Sequence, residues 1–575
     1  MKKDKFRFLQ TYLINILIGV FLVWLVLALL IIPNVNTVYS VFVQEGHLTL
    51  EPVKKLLESQ RAMKSLRNSF ILAPTLSLTV GFIGISLVLI TEYFDIKGAR
   101  ILRLGYMTTL VYGGIILVSG YKFIYGQNGY LTNILAKVFP GFPTDWFSGY
   151  WAVLFVMTFA CTSNHMIFLR NALNSVDYQT VEAAQNLGAS PLKILWKVVL
   201  PVLTPSLLAV TILTFITGLS ATSAPLLVGG SQFQTITPMI LSFTKSIKTY
   251  DLASLLALFL GLSTILLLMI MMSFERRGHY ISVSKVKTRV VKQKIKNPLF
   301  NVMAHIYAYV LFLIYTVPVL FVILFSFTDA VTISKRELRL SSFTFANYVN
   351  VFSRQTSYRP FLVSILYSAV AAFLVAVVVL FICRIIQKQG KKLWAKGLEY
   401  SLMIPWLLPT TLIAIGLITT YNTPRFFMFH QVLTGTPLIL LLGYFIIKIP
   451  FTQRMTKAAF FALDDSLEEA ARNLGAKTIR IFFQVMLPIL LPTVLGIFAL
   501  NFNGLLADYD VSVFLYHPVN QPLGVYIKAL TDEQMNADHS ALTFVYAVLM
   551  MVISTAVLIL VYGRGSNGKL KNSYK

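Results

Sequence analysis

EAAQNLGASPLKILWKVVLPVLTP, residues Glu182–Pro205, returns as EAARNLGAKTIRIFFQVMLPILLP, residues Glu469–Pro492. The offset is 287 residues without a gap, and 13 of the 24 positions are identical. Asp177 and Asp464, just upstream, keep the same register. Self-similarity at a long fixed period marks a duplicated architecture, so the fold is read as two related halves. Each copy starts with a short polar stretch, passes a glycine and runs into an apolar segment. In the first, Asp177 can cap a helix that runs through Leu187, and Gly188 can end it in a left-handed turn. Ser190 and Pro191 then suit the cap and first position of a second helix. In the second, Ser466 and Glu469 form a capping-box pattern, and Gly475 is the stop. The expectation is a helix–glycine–helix elbow in each half.

Working outward, the elbows sit among apolar runs near 12–33, 70–91, 101–121, 150–169, 198–225 and 252–273, then 303–328, 361–383, 399–420, 434–452, 486–508 and 541–562. Of the 575 residues 56% are hydrophobic and only 13% charged, too little polar surface for a dispersed soluble domain. Runs of about 20 apolar residues match the thickness of a hydrocarbon core, and in lipid a backbone that bonds to itself is helical. The fold class is therefore an all-α membrane protein of about twelve transmembrane helices in two parallel six-helix repeats. The expected divisions are a first half over 1–273, a basic linker over 274–302 and a second half over 303–575. An even number of spans per half makes the repeats parallel, related by an axis along the membrane normal. The start, MKKDKFRFLQ before a long apolar run, has the charges of a signal peptide. It lacks a small-residue cleavage site and is read as a retained first helix.

The formal charge of +26 does not indicate nucleic-acid binding, because the basic residues lie between spans and form no single face. Arg276, Arg277, Lys285, Lys287, Arg289, Lys292, Lys294 and Lys296 oppose one acid, Glu275, in the linker. A basic loop of this kind stays on the cytoplasmic side. With both termini also inside, the inner segments carry 32 Lys and Arg and the outer ones 16. Two outer stretches, 34–69 and 329–360, run against the bias with five each. Within the first, EPVKKLLESQRAMKSLRNSF has apolar residues at helical spacing and reads as an external amphipathic helix near the membrane surface, capping the bundle or meeting a partner. Cys161 and Cys383 both fall in apolar runs and suggest neither a disulfide framework nor a metal site.

The doubled EAA…G motif between the fourth and fifth spans, followed by an LP…P run, resembles the permeases of type I ATP-binding-cassette importers. The resemblance covers both halves. It implies that each elbow is a coupling helix docking into an ATP-hydrolysing subunit. Glu182, Ala183, Ala184 and Gly188 match the motif in the first half, and Glu469, Ala470, Ala471 and Gly475 in the second. The paired alanines give a flat face suited to a groove in a partner. No G-x-x-x-x-G-K-[ST] phosphate loop occurs. The resemblance then implies that this chain binds no cofactor and is not an enzyme, with ATP and Mg held by two partner ATPase subunits. It further implies an extracellular substrate-binding protein, a surrounding of membrane lipid and a place in the bacterial plasma membrane.

For the solute, ionisable groups within spans point to pathways or partners. Asp508 and Asp510 flank Tyr509 where the eleventh span ends, and their counterparts at the offset are Ala221 and Ser223. Carboxylate and phenolate oxygens favour a hard cation, so Asp508 and Asp510 are candidate transient metal contacts, with Tyr509 and Ser223 beside the path. The acids can equally cap a turn at a wet outer mouth. His165 either lines the path or is a hydrogen-bonded bundle histidine. Pro201, Pro205, Pro405 and Pro409 are expected to kink helices and widen the cavity. Fused permeases with one elbow per half resemble the ferric-iron, thiamine and phosphonate importers, and ADYDVSVFLYHPVNQPLGVYI, from Ala507 to Ile527, is most similar to the ferric-iron members. Ferric iron is thus the favoured solute, with thiamine or an organophosphonate as alternatives. A secondary transporter of six plus six helices is the rival class. No metal-ligand cluster or nucleophile–base pair supports a membrane enzyme.

Overall fold

The computed structural model describes residues 12–13, 16–44, 46–110, 114–127, 129–173, 176, 178–277, 292–295, 297–335, 340–390, 392–461, 463, 465–532 and 537–571. Asp177, Asp464 and most of the basic linker therefore lie outside the described residues. Among those described, ten helices are long and apolar enough to span a membrane: Ile16–Phe42, Gln60–Tyr93, Gly149–Leu173, Pro191–Leu219 and Tyr250–Ile270 in the first half, and Pro298–Ser326, Gln355–Gln389, Pro437–Phe461, Thr478–Leu506 and Asp538–Val561 in the second.

The third span of each half departs from the expectation of continuous helices. In the first half it is split into Ala99–Tyr106, a 3₁₀ turn at Thr108–Leu110 and Gly114–Tyr125. In the second it is split into Leu393–Ser401, Ile404–Leu407 and Thr410–Tyr421. Pro405 and Pro409 stand at the second set of breaks, where each ring removes a backbone donor and clashes with the preceding turn. Gly114 takes φ +58° at the first break, a conformation open to glycine.

The amphipathic reading of 34–69 is also corrected. The first helix continues to Phe42, a hairpin pairs Val43–Gln44 with His47–Leu48, and only Glu51–Glu58 forms a separate short helix. Residues from Gln60 onward belong to the second span, whose N-cap Ser59 side chain accepts from Ala62 N. The short helix buries Pro52 and Leu56 and packs on Tyr250–Arg277, so it caps the bundle.

The 287-residue offset holds element by element. The elbow helix Tyr178–Asn186 maps onto Asp465–Asn473, Pro191–Ile194 onto Thr478–Ile481, and Leu200–Leu219 onto Leu487–Leu506. Between them lies the same π-helical turn, Leu195–Val199 and Phe482–Met486. Its cause is Pro201 and Pro488 just beyond. A proline cannot donate to the preceding turn, and the Leu200 and Leu487 amides instead reach back five residues, to Leu195 O and Phe482 O.

In each half the second helix packs against the fourth and the fifth. Small residues set the closest crossing: a Cβ on Gly218 would meet Ala73 Cα at 2.7 Å. The first helices are exchanged between halves. Residues Ile32–Phe42 pack on Thr410–Tyr421, and Pro298–Ser326 packs on Ala99–Tyr106 and Gly114–Tyr125. Trp24 Nε1 donates to Phe427 O (2.8 Å), and the Tyr421 hydroxyl donates to Ala28 O. On the other side, the Tyr106 and Tyr121 hydroxyls donate to Ala308 O (2.7 Å) and Ile314 O (3.2 Å). A helix carbonyl keeps a second lone pair, and Ile314 O lacks its usual donor because residue 318 is proline, so a buried tyrosine hydroxyl finds a partner there.

Candidate functional site: two elbows and a cavity between the halves

The elbows have the same geometry. Gly188 and Gly475 take φ +79° and +81°. Their own amides turn back into the helix, Gly188 N donating to Gln185 O and Gly475 N to Arg472 O, both at 2.8 Å. Beyond them, Ala189 N reaches Ala184 O and Ala476 N reaches Ala471 O, 3.0 and 3.1 Å. This crossed pair of bonds is a Schellman stop, which only a residue tolerant of left-handed geometry completes without strain. Glu182, Ala183, Glu469 and Ala470 are exposed, and Ala184 and Ala471 are half-buried. The second elbow helix begins at Asp465, so Ser466 lies inside its first turn. Ser190 does cap its helix, accepting from Lys193 N, while its counterpart Lys477 offers no side-chain cap.

Two residues that the motif reading passed over complete this surface. Leu187 and Leu474, immediately before the glycines, are each 88% exposed. Leu192 with Ile479, and Trp196 with Phe483, extend the same paired apolar surface along the following helix. The clue was present in the repeat, where a leucine is kept at both stops on an otherwise polar helix.

The elbows are anchored differently. At the first, Gln185 Nε2 donates to Gln293 Oε1 of the linker (2.6 Å), and Gln293 exchanges backbone bonds with Tyr93 and Asp95. The Tyr93 hydroxyl reaches Pro191 O (3.0 Å). At the second, Glu468 accepts from Arg384 (2.5 Å) and Arg472 (2.6 Å), with Lys388 at 3.8 Å. Burial raises the Glu468 pKa, but the Arg384 hydrogen bond and charge, with Arg472 and Lys388, outweigh it and hold the carboxyl below its usual range.

Away from the elbows, a cavity of about 540 Å³ lies between the halves. Cys161, Thr217, Ser220, Thr222 and Ser223 line it from the first half, and Pro405, Trp406, Pro409, Thr410 and Asp510 from the second. The prolines thus form part of the wall they were expected to open. Asp510 Oδ1 is buried without a hydrogen-bond partner among the described residues, and the Thr222 hydroxyl lies within reach of the same carboxyl. Beyond the cavity, further from the elbows, a second one of about 610 Å³ is lined by Lys245, Tyr250, Tyr509, Tyr516 and Lys528. The turn at 508–512 separates the two: Tyr509 lines the outer cavity and Asp510 the inner.

Asp508 lines neither. Its Oδ2 accepts from Val511 N (3.2 Å) and Ser512 N (3.0 Å), so it caps the turn that presents its neighbours. The charge of Lys448 acts on it from the fourth helix of the second half. At the repeat offset Lys448 faces Cys161 as Asp508 faces Ala221, so the cation and the anion enter together in one half. That coincidence is readable in the sequence. His165 also lines neither cavity: it is fully buried, and a Cβ on Gly84 would stand 2.5 Å from its Cβ. Its ring is packed against the second helix of the same half, with both nitrogens buried. Among the described residues no group of three or more His, Cys, Asp or Glu side chains is placed to hold a metal ion.

A duplicated helical membrane bundle with paired elbows and a cavity between its halves defines a fused ATP-binding-cassette importer permease. The chain belongs to the family described as the binding-protein-dependent transport system inner membrane component, whose model matches residues 1–277 and 385–563. A probable ABC transporter permease protein of Sinorhizobium fredii is 38% identical over 541 residues, 93% of this chain and 94% of that one. A putative ferric transport system permease protein of Haemophilus influenzae is 23% identical, covering 92% and 81%. A putative 2-aminoethylphosphonate transport system permease protein of Salmonella choleraesuis is 25% identical over 41% of this chain and 86% of its own. Among solved structures, a bacterial ABC transporter involved in import of the acidic polysaccharide alginate matches 47% of this chain and 97% of its own, at 14% identity and a TM-score of 0.37. These relatives are multi-pass membrane transport subunits, and importer permeases of this family work with ATPase and substrate-binding partners.

Proposed function

We propose that this chain carries a small solute inward across a bacterial plasma membrane, coupling two ATPase subunits to an external binding protein. The observation that carries this reading is the pair of elbows with matching stops at Gly188 and Gly475, each ending in an exposed leucine. In this reading Glu182 and Glu469 pair with basic groups in the ATPase grooves, and the alanines beside them allow close approach. The elbows, the basic linker and both termini are cytoplasmic, and ATP and Mg stay on the partner subunits. ATP closes the ATPase dimer and draws the elbows together. The helices rock, the cavity holding Asp510 opens outward to the binding protein, and hydrolysis resets it inward.

Ferric iron is the solute we favour. The ferric transport permeases among the relatives support it, as does the orphaned oxygen of Asp510, a hard donor for a hard cation. Asp508 serves this contact by shaping the turn. A second reading, an organophosphonate, draws support from the 2-aminoethylphosphonate permeases among the relatives and from the lysines of the outer cavity.

The test replaces Glu182 and Glu469 together with alanine and follows uptake of radiolabelled iron, with thiamine and 2-aminoethylphosphonate as competitors, beside ATP hydrolysis. Hydrolysis uncoupled from uptake is expected. Unchanged transport in the double variant, or uptake that persists without the ATPase while the ion gradient is intact, would sink the importer reading in favour of a secondary transporter.

A further inference from the structure

We propose that the outer cavity is a binding site for an oxyanion, and that the solute presents this oxyanion together with a cationic centre. The inference rests on the importer reading above and extends it to the chemistry of the cargo.

The cavity is built by equivalent elements of the two halves. The helices Ile236–Thr244 and Leu523–Asp532 occupy the same place in the repeat. Each is started by a serine from the second helix of its own half: Ile236 N donates to Ser69 Oγ (2.9 Å) and Leu523 N to Ser364 Oγ (2.8 Å). Both helices are therefore fixed to the bundle. Each brings one lysine to the same cavity, but at positions that are not equivalent. Lys245 closes the first helix as its C-cap, and Lys528 lies within the second. At the offset these lysines correspond to Asp532 and Leu241, so neither cation is a relic of the duplication.

The rest of the lining suits an anion. Tyr250, Tyr509 and Tyr516 add phenolic hydroxyls, Thr244 and Thr434 add further donors, and among the described residues no Asp or Glu side chain lines the space. Lys528 is only 8% exposed, a degree of burial rare for lysine. Two ammonium groups with hydroxyls between them bind phosphate-like groups through charge-assisted hydrogen bonds. A volume of about 610 Å³ is in the range of small-molecule sites.

The order of charges then specifies the solute further. The turn at 508–512 puts Tyr509 in this cationic cavity and Asp510, with its unpartnered oxygen, in the next one toward the elbows. A solute with an oxyanion and a cationic centre close together meets a complementary group on each side of one turn. A ferric ion ligated by an oxyanion and an aminoalkyl phosphonate both have this character. A bare organic cation has no use for the two lysines.

The experiment measures equilibrium binding of radiolabelled inorganic phosphate, without ATP, to the full chain assembled with its ATPase subunits in neutral-lipid nanodiscs. Saturable binding is expected, weakened about tenfold by Lys245→Gln and by Lys528→Gln, in line with loss of one charge-assisted contact. Lys54→Gln, on the exposed face of the capping helix, should have no effect. Lys245 is exposed, so its replacement leaves packing intact, and Lys528→Arg keeps the buried charge and should retain binding. Absence of saturable binding, or equal binding in the lysine variants, overturns the proposal. So does loss of affinity for the binding protein with phosphate binding unaltered, because the lysines would then serve its carboxylates. Phosphate binding needs neither ATP nor transport, so this result and the dependence of uptake on the ATPase can fail separately.

Discussion

Truncating Leu187 and Leu474 to alanine tests whether the elbows are docking knobs. Each side chain is 88% exposed at the tip of a helix whose other outward residues, Leu467 apart, are polar or small. An exposed leucine in this setting contributes nothing to the fold, and its burial in a partner groove would contribute about 0.8 kcal/mol per methylene. Leucine exceeds alanine by three carbons, so each truncation should cost about 2 kcal/mol of docking, or roughly 30-fold in affinity. The elbows sit on separate halves and share no contacts, so the effects should add, to roughly a thousandfold in the double variant. The assay is ATPase-subunit binding to the chain in nanodiscs, with thermal unfolding of the free chain alongside. Leu48, 86% exposed at the end of the hairpin's second strand, supplies the control. Affinity that is unchanged in the double variant, or lowered equally by Leu48→Ala, would refute the reasoning.

Gly218→Ala forces a methyl to 2.7 Å from Ala73 Cα and should destabilise the first half by about 1–3 kcal/mol, read as a lowered Tm. Gly504→Ala instead meets only the tip of Lys448, at 2.8 Å, and should leave Tm unchanged while it displaces that ammonium. The second elbow should loosen in acid. The Glu468 pKa is depressed from 4.5, so its contribution is present above that value and lost as the pH falls through the lower folded value. Hydrogen exchange at Asp465–Asn473 should quicken there, while Tyr178–Asn186, held by the neutral Gln185–Gln293 pair, should not respond. Lys448→Met should disturb the turn that Asp508 caps, and Lys448→Met with Asp508→Ala, the pairing of the first half in kind, should recover uptake relative to either single change.

The parts of the molecule that follow from local chemistry were legible before any coordinates. Ten of the twelve apolar runs are continuous helices, because lipid leaves the backbone no other partner. The glycine stops were readable because φ near +80° requires the one residue type found there. The third spans were legible only in part: Pro405 and Pro409 announced a kink in the second half, but the break between Tyr106 and Gly114 in the first has no proline to mark it, and hydropathy averages over the run. The tail of the stretch 34–69 was misassigned because its charged residues hide the start of the second span at Gln60. At the candidate path, residue type located Asp508 and Asp510 but could not divide their roles. One caps a turn and the other lines a cavity, a distinction set by which way the 508–512 turn faces. His165 attracted notice as an ionisable group in a span, and the missing information was the glycine opposite it.

The exchange of first helices has a consequence for biosynthesis. The acceptor at Ala28 and the Tyr421 hydroxyl that binds it are 393 residues apart. At about 5–20 residues per second, the helix that leaves the ribosome first waits roughly 20–80 s for its seat to be made. During that interval its packing face must rest against lipid or an insertion factor. The second exchanged helix has no such delay, because Tyr106 and Tyr121 are already in the membrane when Ala308 and Ile314 arrive. Assembly of the bundle is therefore ordered in time, with the first helix seated only after the third span of the second half is made.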